Sequence, residues 1–341
     1  MSMEKERTMT AKSRQARFLA ITGLLVVAAF IASLLVGRFP LSPGEIVAIL
    51  TGGQADPMSQ AVLLNLRLPR TAMALLAGAG LGMAGSVFQL VFKNPLAAPD
   101  IVGVTSGANL GAAIAIVIFG ASAALMATTA FVGGMLVLLL VVAVAKLSRN
   151  ASTVTYILAG IIMKAVSDAF IMTLKFFADP ERELAAIEYW AMGSLGGITA
   201  SKLMTVAPFF LAGFIGLILM RRQIMLLGLE EEESRALGVR IRIVRTAVLG
   251  LSALTVASII SQTGLIAFAG LIAPHAARLA LKRVSFAWCV LSSLTGALIL
   301  LVSDSLARSV ATTEIPISIP TTLIGVPVLL YFMWSRKAGK V

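Results

Sequence analysis

Residues 122–145 read SAALMATTAFVGGMLVLLLVVAVA, without one charged side chain. A helix rises about 1.5 Å per residue and the hydrocarbon layer of a bilayer is about 30 Å thick, so this stretch is long enough to cross it. Backbone groups in lipid must be satisfied within the spanning structure, and a continuous apolar run of this length does that as a helix. Reading outward, the pattern recurs at 18–36, 69–91, 97–118, 153–177, 203–220, 246–263, 265–281, 285–306 and 318–334. Adjoining runs meet at Gly120 and at Gly264. The expected fold class is all-α, a polytopic membrane protein with about ten transmembrane helices. Residues 37–68 and 178–202 contain Pro, Gly and acidic residues and read as long aqueous connections.

Composition agrees. Of 341 residues, 58% are hydrophobic and only 13% charged, where a soluble domain carries about 25% charged residues. Mean hydropathy is +0.96. The formal net charge is +12, but the cations sit in short clusters between apolar runs. That suits topology signals better than a nucleic-acid-binding stripe, so no nucleic-acid partner is expected and the lipid bilayer is. The single cysteine, Cys289, excludes an intrachain disulfide. The basic region Lys5 to Arg17 leads into an apolar run too long for a signal peptide, so it reads as a cytoplasmic segment, 1–17, before a retained first span. One transmembrane domain, 18–334, and a cytoplasmic tail, 335–341, complete the layout.

With the N-terminus inside and the spans alternating, 20 of the 28 Lys and Arg residues fall on the cytoplasmic side. Seven fall outside (Arg38, Arg67, Arg70, Lys175, Arg182, Lys202 and Arg308), and Lys164 lies in mid-span. This bias places both termini in the cytoplasm.

The longest inside loop is 221–245, RRQIMLLGLEEEESRALGVRIRIVR. Glu230 to Glu233 put negative charge where a helix dipole favours it, at the start of a short helix. Ser234, Arg235, Ala236 and Leu237 continue that helix, and Gly238 suits the left-handed position that ends it. Such an amphipathic helix fits a groove on a soluble partner; the bland alternative is a solvated loop. Lys164 and Asp168 are four apart on one face of a span, where ionisable groups turn to an interior or a cavity. They read as a structural pair at the dimer or bundle interior, with a pathway-lining role as the alternative. His275 is the one histidine and cannot build a metal site alone; no metal ligand set and no catalytic constellation stands out.

The segment LGLEEEESRALGV resembles the coupling loop of the FecCD family, permease subunits of ATP-driven importers for ferric siderophores, haem and cobalamin. RLPR at 67–70, AGAGLGMAGSVFQLVFKNPLAAPDIVGVTSGANLGA at 77–112, WAMGSLGG at 190–197, GLIAFAGLIAPHAARL at 264–279, SDSLAR at 303–308 and EIPISIPTTLIGVPVLLYF at 314–332 follow the family's order. The resemblance implies a type II importer permease in a prokaryotic inner membrane, with an iron chelate as the expected cargo and cobalamin, haem or molybdate as alternatives.

It further implies several partners: a second permease subunit (a homodimer favoured over a heterodimer), two cytoplasmic ATPase subunits and an external substrate-binding protein. Leu229, Glu230, Glu231, Ser234, Arg235, Ala236, Leu237 and Gly238 would couple to the ATPase. Asn94, Pro95, Leu96, Ser152, Thr153 and Val154 would form a cytoplasmic gate. Read without the family, Pro95 and Pro99 interrupt a helix and Ser152 caps one. Arg67, Arg70 and Arg308 resemble sockets for carboxylates of the binding protein, a task that suits the planar guanidinium; snorkelling at the headgroups is the alternative. The chain has no G-x-x-x-x-G-K-[ST] loop, so ATP and Mg are expected on the ATPase and no cofactor on this chain. An ion-coupled secondary transporter is the competing class, with Asp168 as its one midplane acid. It leaves the loop at 221–245 unexplained.

Overall fold

The computed structural model describes residues 2–37, 39–120, 122–148, 152–310 and 313–337, with side chains from Ser13 onward except at Met333 and beyond Trp334. Arg38, Arg149 and the last four residues of the expected tail lie outside the described residues. Among the described residues the chain is all helical. Its α-helices are α1 (Ser2–Leu35), α2 (Pro43–Leu50), α3 (Pro57–Ala61), α4 (Leu68–Val91), α5 (Val104–Phe119), α6 (Ala123–Leu147), α7 (Thr153–Phe177), α8 (Ala185–Met192), α9 (Ala200–Leu219), α10 (Arg221–Leu227), α11 (Glu231–Ala236), α12 (Ile241–Thr263), α13 (Ala269–Leu281), α14 (Phe286–Ala307) and α15 (Ser318–Lys337).

Seven helices among the described residues are long and apolar enough to cross a membrane. The longest runs unbroken from Pro57 through a π turn at Val62–Arg67 to Val91. The other three expected spans correspond to the shorter helices α5, α13 and α15. Two of these start late. The run at 97–118 opens with irregular chain and a 3-10 turn, Pro99–Val102, and becomes α-helical only after Gly103 at φ +73°. Proline lacks the N–H a helix needs and pushes the preceding residue toward extended backbone. The run at 265–281 likewise stays irregular through Phe268, at φ +64°, before α13 begins. The divisions at Gly120 and Gly264 are both present, each glycine holding a positive φ.

α4 is the hub. In its most apolar window 83% is buried, against 22% for α7 and for α9. Small residues make this closeness possible. A Cβ at Gly78 would overlap the Gly296 carbonyl, at Gly82 the Ser292 carbonyl, and at Gly85 the Gly270 carbonyl. Lipid tails are as apolar as the side chains, so helices in a membrane gain most from such close backbone approach. α4 therefore seats α13 and α14, and the peripheral helices pack around that centre.

Candidate functional site

The loop 221–245 folds as a defined platform. Gly238 N–H donates to Arg235 O at 2.9 Å and Val239 N–H to Ser234 O at 3.1 Å, with Gly238 at φ +77°. This is the Schellman arrangement that ends a helix. Ser234 is buried and its hydroxyl donates to Leu226 O at 2.7 Å, which fixes α11 to α10. Glu231 receives Arg245 Nη2 at 2.6 Å, which fixes it to α12. The hydrogen bond from Arg245 holds the Glu231 carboxyl below the usual carboxylate range, against partial desolvation; Arg235 and Lys93 add to the effect. Lys93 Nζ also lies 3.3 Å from Glu230. Apolar side chains stand among the exposed charges of Glu230, Glu232, Glu233 and Arg235: Leu237 is 62% exposed and Leu229 39%. Ala236 is exposed beside them.

Asn94–Leu96 and Ser152–Val154 both lie at helix ends. Asn94 Oδ1 accepts from Leu96 N–H at 2.9 Å and tightens the turn after α4. Ser152 caps α7, its hydroxyl accepting from Thr155 N–H at 3.4 Å. Pro95 and Thr153 are half-buried, while Leu96 and Val154 are exposed.

At the other end the three arginines are turned inward. Arg67, 5% exposed, donates Nη1 to Leu34 O at 2.7 Å and Leu35 O at 3.2 Å, and Nη2 to Phe39 O. It thereby serves the carbonyls that α1 leaves unpaired at its C-terminus. Arg70 places Nη2 2.7 Å from Asp304 Oδ1 and 2.9 Å from Glu314 Oε1. Arg308 donates Nη2 to Ser33 O at 2.6 Å and to Ser33 Oγ, and its Nε lies 3.4 Å from Asp304 Oδ2. Ser194 Oγ donates to Glu314 Oε1 at 3.2 Å. Asp304 is wholly buried, whereas Glu314 retains 28% side-chain exposure. One network thus ties α1, α4, α14 and the segments before α9 and α15. Each guanidinium has acceptors within the chain.

The sequence marks the arginines, Arg245 among them, but not Asp304, Glu314 or Ser33 as their partners. Asp304 had a signal: it stands four residues before Arg308 on one helix face. Glu314 is far in sequence from Arg70, whereas Arg245 stands 14 residues from Glu231 in the same loop. Lys164 and Asp168 form the expected pair, Nζ to Oδ2 at 2.8 Å, with side chains 50% and 42% exposed on α7. The structure does not place them in an interior formed by this chain.

A helical membrane domain with a small helical platform on one face and a clamped charge network on the other defines the class: a multi-pass permease, a transport subunit and not a catalytic enzyme. Comparison with known proteins sharpens this. Residues 24–335 match the FecCD transport family, and the chain belongs to it. It is 38% identical over 324 residues to the molybdate import system permease MolB of Haemophilus influenzae, covering 94% of this chain and 95% of that one. It is 35% identical over 277 residues to a probable iron chelatin transport system permease of Helicobacter pylori, covering 81% and 83%. A solved inward-facing structure of a metal-chelate type ABC transporter superposes with a TM-score of 0.83 at 35% identity, covering 94% of this chain and 99% of that one. Permeases of this family belong to ABC importers, which work with ATPase and binding-protein partners.

Proposed function

We propose that this chain imports a metal complex or metal oxyanion from an external binding protein, driven by a separate ATPase that docks on residues 229–239. The observation that carries this reading is the inner platform. α11 is pinned by Ser234 and Glu231, yet it leaves Leu237 and Leu229 uncovered by this chain. Fixed polar anchors with exposed apolar tips fit a partner's groove better than a solvated loop. The partners in this reading are a second copy of the permease, two ATPase subunits carrying ATP and Mg, and the binding protein. Both termini face the cytoplasm, and Asn94–Leu96 and Ser152–Val154 close the inner end.

An iron chelate is the cargo read from the sequence. A second reading, an oxyanion, is favoured by the cation at the middle of α7. The test of the import reading is uptake into proteoliposomes holding the permease and its ATPase. Uptake is expected only with ATP inside the reaction and the binding protein supplied. Equal uptake by the permease alone under a proton gradient would establish the secondary-transporter reading instead.

A further inference from the structure

α7 carries a charged pair at its middle. Lys164 and Asp168 stand near the centre of this 25-residue helix, half exposed. Hydrocarbon is a costly neighbour for such a pair; ionisable groups at that depth turn to an interior or a water-filled cavity. This chain does not supply that interior, since only 22% of the apolar window of α7 is buried.

A second observation lies alongside. The irregular stretch before α5 packs on α7 at the same level. A Cβ at Gly160 would overlap the Ile101 carbonyl, and one at Gly103 would lie 3.6 Å from the Lys164 backbone nitrogen. Non-helical backbone at membrane depth is tolerated inside protein or along a water-filled cavity. An open cleft of about 180 Å³ borders the same stretch at Pro99 and Asp100, with the second irregular stretch, Leu265–Phe268, as its other wall.

We infer that the uncovered face of α7 lines a water-filled passage with a second copy of the chain opposite, and that Lys164 there holds a small oxyanion in transit, with Asp168 as its resident counter-ion. This rests on the proposed import function. An ammonium has three donors, and here one is directed to Asp168. Its four-carbon stem reaches farther from the helix than the short Asp168 side chain, so the group offered to the passage is the cation. Lys ahead of Asp is the weaker order for a helical pair, which makes exchange of Asp168 for a passing anion inexpensive. Two copies related by an axis along the membrane normal hold both Lys164 residues at one depth. The belt is neutral when empty and presents two ammoniums to a dianion. Toward the Asn94 end the next charge is the exposed Asp100, whose Oδ1 accepts from Thr105 Oγ1. It gives an anion no second grip, which favours release.

The test uses the assembled permease, ATPase and binding protein in proteoliposomes, offered molybdate, a ferric siderophore or cobalamin. Molybdate uptake is expected in the wild type. Lys164→Gln should lower it about tenfold or more with the ATP hydrolysis stimulated by the binding protein retained, and Lys164→Arg should restore part of it. Unchanged molybdate uptake by Lys164→Gln overturns the assignment. So does a wild type that carries only the siderophore or cobalamin, in which case the import function stands. ATP-independent uptake defeats the import function itself.

If Lys164→Gln does not fold, the double variant Lys164→Gln/Asp168→Asn decides. Its misfolding, or wild-type molybdate uptake by it, makes the pair structural and ends the proposal. Water access has its own readout, because the one native cysteine, Cys289, is fully buried. A charged thiol reagent should label Ala165→Cys on the α7 face and spare Leu136→Cys on α6. Absence of label at position 165 in the assembled complex would place that face in lipid or a dry contact and overturn the inference.

Discussion

A side chain at position 238 would meet nothing within 4 Å, yet the backbone there holds φ +77°. The conformation, not the space, demands glycine. An L-residue in the left-handed region costs about 1–2 kcal/mol, a factor of about 5–30 in an equilibrium. Gly238→Val should therefore loosen the end of α11 and lower ATPase co-purification by about that factor, with membrane insertion unchanged. Wild-type recovery of the ATPase would remove residues 229–239 from the docking surface. Glu231 gives a matching pH signature. Its carboxyl is held below its ordinary value of 4.5, chiefly by Arg245. A depressed carboxylate contributes stability above its unfolded value that is lost as pH falls through the folded one. ATPase affinity should thus hold at pH 7 and decline below pH 4.5. In Glu231→Gln it should be weaker at pH 7 and flatter across that acid range, as read by binding at a series of pH values.

At the scale of the helices, α4 is fixed by what it lacks. Gly85 faces the Gly270 carbonyl of α13 with no room for a methyl group. Gly85→Ala should destabilise the bundle by about 1–3 kcal/mol through overpacking. Gly250→Ala on α12, where an added Cβ meets nothing within 4 Å, should be neutral or stabilising by up to about 1 kcal/mol. Thermal unfolding of the two variants in detergent separates them; equal shifts would contradict the packing assigned to α4. The contrast also shows what could be read from the sequence. The apolar runs, the breaks at Gly120 and Gly264 and the end of α11 at Gly238 follow from local chemistry, so they were legible. The irregular start of α13 was not, because it turns at Phe268, a residue type with no preference for positive φ. Nor were the partners of Arg70, since Asp304 lies 234 residues away and the two meet only when α4 packs against α14.

Across the whole molecule, the network of Arg70, Asp304 and Arg308 decides how binding-protein docking is to be probed. Asp304 is wholly buried between Arg70 and Arg308, which are 12% and 10% exposed. Removing one member of a buried charge cluster leaves the others uncompensated, at about 3–5 kcal/mol. Asp304→Asn should therefore lower the unfolding temperature sharply, and so should reversing Arg67, Arg70 and Arg308 together. Loss of binding-protein docking in that triple variant would then report unfolding as readily as a lost contact. Glu314→Gln is the cleaner probe. Glu314 is the most exposed acid of the network, and its loss leaves Arg70 paired with Asp304 while freeing one edge of the guanidinium. If a carboxylate of the binding protein docks on Arg70, Glu314 competes with it for the same donors. Glu314→Gln should then raise binding-protein affinity for the permease–ATPase complex, and the gain should fade with salt as screening grows. The inner platform lies at the opposite end, so ATPase affinity should stay at the wild-type level. Unchanged binding-protein affinity at low salt in a folded Glu314→Gln variant would confine Arg70 to its structural role of holding α4, α14 and the segment before α15 together.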